Sequence, residues 1–515
     1  MPATRPTDLQ QWQFMMPRAG WVDVEIPLGG EEGQSLSFLH NFRVCRDGLE
    51  TAVGWTAPVS DSVGSGADTP GNFLGVVPIA RPDGVICNFY FFEKRIYMSR
   101  LQGGTRQFLN VTPSGWTGAV LSTVPDITFF LNKFYMAVPH TTYGGVYSLD
   151  PNAATPVWVL VSGSPKAETI GTLGFRLVVG NTVNTSGGTV YQIRWSALNN
   201  PDSWDALQTL DLPNYDTIIR FLPFGENILI VTQNRFYGLA FTGNPQTPFA
   251  ISFLSTIPAR IKDKRQVQSI LLHDVNMVIY AIETGLYAFS GNESMLLSQN
   301  IDRTFRNTFV NANNFIVSYN PIDAEIYCIP FGSNYNDHCL VYQVLYRAWY
   351  RRDRPSGGTF MSIDNFSDTN RISVPIFVAY DSTNVVAKTY KFRLPYDDIQ
   401  TRDTASFNGE IHIPASEIGP PGGQKTLVSA LLWWTIQGST SNITGSWDIY
   451  VAVSHSLPQL TNTNTFTYQL LGSLGINSPE EEKGIYATGR YIRAKIVGVG
   501  LSTRIVWHGI FVFWH

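Results

Sequence analysis

Residues 191–204 read YQIRWSALNNPDSW, and residues 218–232 read IIRFLPFGENILIVT. In the first stretch Ile193 and Trp195 point to one face of a strand and Arg194 to the other, because successive side chains of a strand alternate. The Asn-Asn-Pro-Asp segment that follows is a turn signal. The second stretch ends in an apolar run of strand length, which a glycine turn precedes. Together the two stretches predict short strands joined by tight turns.

Pairs of strands of this kind recur between residues 72 and 400. Each pair has one long apolar strand, a turn and a second strand with an aromatic residue, as in Val85–Phe92 and Arg95–Met98. The pairs are spaced by about 45–50 residues, which is typical of a four-stranded propeller blade. We therefore expect an all-β fold with almost no helix, organised as a β-propeller of six or seven blades. A set of stacked β-sandwiches is the alternative.

Two flanks differ from this repeat. Residues 1–50 contain proline, glycine and aromatic residues with little alternation, and they are predicted to form an extended N-terminal arm. Residues 51–400 are predicted to hold the propeller. Residues 401–515 contain further alternating runs, such as Trp447–Val453 and Tyr491–Val497, which indicate a C-terminal β-sandwich domain.

Composition excludes several classes of protein. Charged residues make up 15% of the 515 residues and aromatic residues 13%, a balance that argues against disorder. The net charge of −4 argues against a surface that is basic overall, as a nucleic-acid-binding domain would have. The four cysteines are scattered, so we expect them to be reduced and structural. We expect neither a signal peptide nor a membrane-spanning segment, because no apolar run is long enough.

No motif with a specific catalytic spacing occurs in the sequence. The nucleophile elbow, the phosphate-binding loop and the zinc-binding His-Glu-x-x-His pattern are all absent, so we predict no enzyme activity, cofactor or metal. Propellers also host glycosidases, whose two carboxylates come from different blades and cannot be paired by sequence. A propeller that binds or cleaves carbohydrate is therefore the alternative function.

Three charged clusters stand out in this charge-poor chain. The acidic run Glu480, Glu481 and Glu482 is typical of a solvated loop or of the start of a short helix. The two basic clusters could contact another subunit, pack within the chain or face DNA, since arginine beside aromatic rings suits both protein interfaces and phosphates. Their residues are Arg260, Lys262, Lys264 and Arg265 in the first cluster, and Arg347, Arg351, Arg352 and Arg354 in the second.

Three tryptophans fall inside or beside predicted strands. Trp195 lies on the apolar face of its strand, Trp204 follows the turn after it, and Trp349 ends a later strand pair. We interpret all three as residues of blade cores rather than as platforms for ligand stacking.

The series from Ile193-Arg194-Trp195-Ser196 through Pro223-Phe224-Gly225 to Thr232 resembles a known family. It is similar to the propeller region of tail nozzle proteins and packaged-DNA stabilisation proteins of short-tailed bacteriophages, the tail tubular protein B-like family. The series from Ser318-Tyr319-Asn320-Pro321 to Trp349 has the same pattern, and Arg490–Lys495 looks like the closing β domain of that family. The resemblance extends over residues 70 to 515.

The resemblance implies a structural protein of the virion, made in the host cytoplasm. Members of the family form a homohexameric tube below the head-to-tail adaptor protein, hold back the packaged genome and conduct double-stranded DNA at ejection. It also implies tail fibre, spike or plug proteins as further partners. An acidic lumen would repel phosphates and let DNA slide, which suggests Glu480–Glu482 as lumen or gate residues.

Overall fold

The computed structural model describes residues 10–15, 38–45, 48–51, 59–63, 71–102, 105–272, 275–312, 315–321, 323–330, 338–353, 359–367, 373–381, 386–391, 407–417, 424–437, 444–461, 466–475, 482–501 and 504–514. Strands hold 62% of the chain and helices 5%, which confirms the prediction of an all-β fold with little helix. The helices in the described part are α1 (Asp302–Ala312) and α2 (Leu457–Thr461).

Five strands precede the first blade: β1 (Gln10–Met15), β2 (Phe38–His40), β3 (Phe42–Cys45), β4 (Gly48–Thr51) and β5 (Val59–Val63). Blade 1 consists of β6 (Phe73–Ala80), β7 (Ile86–Phe92), β8 (Ile96–Gln102) and β9 (Thr105–Asn110). Blade 2 consists of β10 (Ile127–Phe130), β11 (Lys133–Val138), β12 (Gly145–Leu149) and β13 (Val159–Leu160). Blade 3 consists of β14 (Thr169–Leu173), β15 (Arg176–Gly180), β16 (Gln192–Ala197) and β17 (Asn200–Asp211).

The strands of blades 4 to 7 follow in the same order. They are β18 (Ile218–Phe224), β19 (Asn227–Thr232), β20 (Arg235–Phe241), β21 (Phe249–Thr256); β22 (Val267–Leu272), β23 (Val275–Ile282), β24 (Gly285–Phe289), β25 (Ser294–Leu296); β26 (Phe315–Asn320), β27 (Glu325–Pro330), β28 (His338–Gln343), β29 (Ala348–Asp353); and β30 (Thr359–Ser367), β31 (Ser373–Asp381), β32 (Val386–Lys391) with β5.

The blades form a closed ring. The first strands β6, β10, β14, β18, β22 and β26 each pack beside the first strand of the next blade, and β30 of blade 7 packs beside β6 of blade 1. The chain is therefore a β-propeller whose described strands make seven blades, each with its first strand innermost. β5 pairs antiparallel with β32, so a strand from before the propeller completes its last blade.

The remaining strands form the C-terminal β-sandwich with the N-terminal strands. They are β33 (Phe407–Glu417), β34 (Lys425–Gln437), β35 (Ser446–Ser454), β36 (Gln469–Gly475), β37 (Glu482–Gly489), β38 (Tyr491–Leu501) and β39 (Arg504–Trp514). One sheet has the order β3-β4-β39-β34-β37, and β1 pairs with β39 as well. The N-terminal arm thus crosses the molecule as short strands that complete sheets built by distant residues.

The second sandwich sheet is continuous with the propeller. Blade 6 is followed by β2, β33, β38, β35 and β36 in one nine-stranded sheet, and His40 of β2 pairs in parallel with Arg351 of β29. A single hydrophobic core runs from blades 5 and 6 into the sandwich, where Trp434, Trp447 and Trp507 are fully buried. Since a continuous sheet and a shared core resist bending, the two units hold each other rigidly.

A buried charge lies where blade 6 meets the sandwich. Glu325 on β27 is 0% exposed, and its carboxylate accepts hydrogen bonds from the hydroxyls of Tyr327 at 2.7 Å and Tyr350 at 3.0 Å. Arg43 on β3 lies 3.5 Å from Glu325 and 3.0 Å from Asp323. Burial raises the pKa of Glu325, and the charge of Arg43 opposes this rise. The N-terminal arm therefore supplies a charge that this blade needs.

Replacing Arg43 with methionine should destabilise the fold by about 3 kcal/mol, because it removes one of the cations that neutralise the buried carboxylates of Asp323 and Glu325. The double variant Arg43→Met/Glu325→Gln should recover part of this loss, since it removes both charges. Urea unfolding followed by tryptophan fluorescence measures both values. The same measurement on Glu325→Gln completes the comparison, and a loss in the double variant equal to the sum of the two single losses would show that the two side chains do not interact energetically.

Candidate functional site

A cavity of about 570 Å³ occupies the centre of the propeller. Described residues of six innermost strands line it, from β6 of blade 1 to β26 of blade 6. A cavity of this volume suits a small molecule and is far too small for a DNA duplex.

Charged side chains gather at one end of this cavity, which we call the channel mouth and define by Asp126, Thr169, Arg220, Lys264 and Arg265. All five lie just before or near the beginning of an innermost strand. The innermost strands start at the same end of a propeller, because each blade repeats the same up-and-down path. Residues at corresponding places in four different blades, which are far apart in sequence, are thereby brought together.

Asp126 is the centre of the channel mouth. It is 6% exposed, and its Oδ2 accepts a hydrogen bond of 2.6 Å from the hydroxyl of Thr169. That hydroxyl in turn accepts a hydrogen bond of 2.8 Å from the backbone N–H of Phe221. The other carboxylate oxygen lies 3.4 Å from Nε of Arg220 and 3.8 Å from Nζ of Lys264. One carboxylate is therefore shared by two cations.

The basic side chains also join neighbouring blades through backbone carbonyls. Nη1 of Arg220 donates to the carbonyl of Lys264 at 3.2 Å and to that of Val267 at 2.9 Å. Nζ of Lys264 donates to the carbonyl of Glu168 at 3.3 Å. Nη1 of Arg265 donates to the carbonyl of Leu74 at 3.3 Å. These bonds connect blade 5 to blades 4, 3 and 1.

The carboxylates at this end differ in how well they are neutralised. Arg265 pairs with Asp263 at 2.7 Å. Burial alone would raise the pKa of Asp263, but the hydrogen bonds and charge of Arg265 outweigh burial and lower it. Burial raises the pKa of Glu168, and the charge of nearby Lys264 only partly offsets this. Arg220 and Lys264 therefore have Asp126 as their main counter-charge.

The predicted basic clusters are divided between surface and interior. Arg260 and Lys262 are exposed, whereas Lys264 and Arg265 point to the channel mouth. Arg347 is exposed in the turn between β28 and β29, and Arg351 is half-buried. Arg352 is 3% exposed, and its Nη1 donates to the hydroxyl of Tyr327 at 2.7 Å. Arg354 lies outside the described residues.

The predicted tryptophans and glutamates are placed as follows. Trp195 is 7% exposed in the core of blade 3, and Trp349 is 1% exposed with its Nε1 donating to the carbonyl of Leu297 at 3.0 Å. Trp204 is half-buried, and its Nε1 donates to the carbonyl of Pro201 at 2.9 Å. Glu482 begins β37, while Glu480 and Glu481 lie outside the described residues. A lumen or gate role for the three glutamates stays a prediction.

The end of the propeller opposite the channel mouth carries exposed apolar side chains at or next to its turns. Leu131 and Phe175 occupy the turns between the first and second strands of blades 2 and 3, with φ of 44° and 58°. They are 50% and 69% exposed. A left-handed conformation is unfavourable for a residue other than glycine or asparagine. We call this end the turn-tip surface, and its residues are Leu131, Phe175, Leu198, Phe241, Leu271, Val275, Leu345 and Tyr346.

A second group of exposed apolar residues lies on the flank of the propeller. They belong to the outermost strands of blades 2 to 5, and Leu207 on β17 is 87% exposed. We call this group the flank surface, and its residues are Val159, Leu160, Leu207, Phe253 and Met295. Exposed apolar side chains thus occur both at the turn tips and on the outermost strands of four blades.

Sequence reasoning missed both the channel mouth and the turn-tip surface. The sequence predicts Lys264 and Arg265 only as members of a basic cluster, because Asp126, the partner of Lys264, is distant in sequence. An apolar residue beside asparagine or glycine in a hairpin turn, as in Leu131-Asn132 and Gly174-Phe175, was a signal that could have revealed the turn tips.

Two further searches of the described residues give simple results. No cluster of three or more His, Cys, Asp or Glu side chains that could hold a metal ion occurs among them. None of the helices in this part of the chain has the length and apolar character needed to cross a membrane.

No protein-family model matches the chain. No curated protein matches it either. Among solved structures, the chain is similar to dihydro-heme d1 dehydrogenase NirN, with 10% identity and a TM-score of 0.39 over 62% of this chain and 66% of that one. It is also similar to the extracellular domain of a putative hybrid two-component system from B. thetaiotaomicron, with 12% identity and a TM-score of 0.42 over 74% of this chain and 43% of that one. The chain thus spans less than two thirds of the length of either protein, and likeness at this level carries no argument about function.

Replacing Thr169 with valine should destabilise the fold by about 1–3 kcal/mol, because the buried Phe221 N–H and Asp126 carboxylate each lose a partner. The matched control is Thr172→Val on the same strand, which should change the free energy of unfolding by less than about 0.5 kcal/mol. Urea denaturation of both variants measures the difference. Equal effects would show that the hydroxyl of Thr169 does not hold the channel mouth together.

Proposed function

We propose that this protein is the tail nozzle subunit of a short-tailed bacteriophage. In this role it retains packaged DNA below the head-to-tail adaptor and conducts the genome at ejection. The proposal is supported by the sequence resemblance in residues 191–232 and 318–349 and by the rigid union of propeller and sandwich. It assigns the chain a structural role in the virion and no catalytic one.

The observation that carries the proposal is the turn-tip surface. Leu131 and Phe175 are exposed to solvent and also hold unfavourable left-handed backbone angles. The exposure of these apolar side chains and their left-handed backbone angles both cost free energy in an isolated subunit. Burial of the same side chains against another protein would offset this cost.

The presence of two apolar surfaces favours a ring. A ring of identical subunits uses head-to-tail contacts, in which one face of each copy meets a different face of the next. The turn-tip surface and the flank surface lie on different sides of the propeller and supply two such faces. We infer that the turn-tip surface of one copy meets the flank surface of its neighbour.

DNA would pass through the lumen between subunits. The net charge of −4 per chain is of the sign that lets a duplex slide, because phosphate contacts dominate the affinity of proteins for DNA. The exposed Arg260, Lys262 and Arg347 remain available for contacts with DNA or with a neighbouring subunit.

Negative-stain imaging tests the proposal, first on the protein alone and then after mixing it with DNA-filled heads that lack tails. We expect sixfold rings, or heads that gain a short tail and stop leaking DNA. Monomers that neither bind heads nor retain DNA would contradict the proposal. Release of sugar from a panel of host polysaccharides would then favour the carbohydrate-cleaving alternative.

The double variant Leu131→Asn/Phe175→Asn should assemble at least tenfold more weakly than the wild type, since it removes two apolar contacts. Its free energy of unfolding should be unchanged or higher by about 1 kcal/mol, because asparagine tolerates the left-handed region. Sedimentation velocity measures assembly, with binding to heads as the readout if rings form only there.

The matched control for this variant is Tyr215→Asn. Tyr215 is also exposed and has φ of 55°, but it lies at the opposite end of the propeller, beside the channel mouth. We expect this variant to assemble normally. Equal assembly of all three proteins would refute a contact role for the turn-tip surface.

A further inference from the structure

We propose that the propeller cavity and its channel mouth bind a small organic carboxylate that has an apolar body. This site goes beyond the nozzle proposal, which assigns no ligand to the inside of the propeller. The proposal of a carboxylate site rests on the apolar walls of the cavity, on the hydrogen-bond donors at the channel mouth that have no acceptor in the described structure, and on the charges around them.

The walls fit an apolar body of modest size. The cavity volume of about 570 Å³ is within the range of pockets that hold small molecules. The apolar residues that line it include Val76, Ile127, Ile170, Phe221 and Ile316 of the innermost strands, and Ile228 of β19, the second strand of blade 4. A ligand made only of charged groups would leave these walls without contacts.

The mouth holds cationic donors that the protein satisfies incompletely. The side chain of Lys264 is 8% exposed, and its ammonium group carries three N–H donors. Among the described residues it donates one hydrogen bond, to the carbonyl of Glu168. Nε of Arg220 is buried 3.4 Å from Asp126 but makes no hydrogen bond in the described structure. Both side chains can therefore accommodate a further acceptor.

The local charges favour an anion. Arg265 is neutralised by Asp263, which leaves Arg220 and Lys264 with Asp126 as their shared counter-ion. Glu168 is a weaker source of negative charge, because burial raises its pKa. A buried cation without full compensation is costly, so a bound carboxylate would be stabilised by both basic groups.

The geometry selects the class of ligand. A carboxylate has two oxygens and can accept from Arg220 and Lys264 at once, since both basic groups lie close to the same oxygen of Asp126. Its apolar portion would then extend along the cavity between the innermost strands. Inorganic phosphate shares the charge but lacks the apolar body, and a neutral alcohol shares the body but lacks the charge.

Isothermal titration calorimetry of the full chain with octanoate tests the site. The comparison ligands are 1-octanol, which is neutral, and inorganic phosphate, which has no apolar part. We expect octanoate to bind at least tenfold more tightly than either. Absence of octanoate binding at millimolar concentration would overturn the proposal, as would an affinity for 1-octanol or for phosphate equal to that for octanoate.

Variants locate the binding at the channel mouth. Lys264→Met should weaken octanoate binding at least tenfold, and the matched control Lys262→Met, two residues away but exposed, should leave it unchanged. Asp126→Asn should tighten binding severalfold, because it removes the competing negative charge while its amide oxygen can still accept from Thr169. Equal affinity of the two lysine variants, or weaker binding by Asp126→Asn, would overturn the proposal. Arg220→Met replaces Lys264→Met if the latter does not fold, with the same expected loss.

Discussion

Burial of Glu325 is the constraint on which the joint between propeller and sandwich depends. The carboxylate has no contact with solvent, so its charge must be matched inside the protein by arginines and tyrosine hydroxyls. Arg43 comes from the N-terminal arm, and the pairing therefore fixes where that arm enters the molecule. From this point β2 extends the sheet of blade 6, and β5 completes blade 7. The closure of the ring and the attachment of the sandwich thus depend on the same N-terminal segment.

The two ends of the propeller differ in chemical character, and we assign a different role to each end. The channel mouth concentrates charge that the blades share, with Asp126 held between Arg220 and Lys264. The opposite end exposes apolar turn tips at a conformational cost. We interpret the first end as the entrance to a ligand site and the second as a surface for assembly. The proposed head-to-tail ring would pair the turn-tip surface of one copy with the flank surface of the next.

Much of the fold could be predicted from local patterns, whereas the sites could not. The predicted run Val85–Phe92 corresponds to β7 (Ile86–Phe92), because alternation and turn residues are properties of neighbouring positions. The pairing of β2 with β29 and of β5 with β32 could not be predicted, since no local pattern specifies which distant edge a short strand will complete. The same holds for Lys264, whose role depends on Asp126 and Glu168 in other blades. The left-handed angle of Leu131 is likewise a property of the finished turn rather than of the residue.

The central claim is that this chain is a structural subunit of a virion, and a cryo-electron microscopy map of particles produced by the genome that encodes it tests this most directly. The account predicts six copies below the head, DNA between the subunits and the turn-tip surface buried against a neighbouring copy. Particles that lack this chain, or a map in which Leu131 and Phe175 face solvent in every copy, would contradict it.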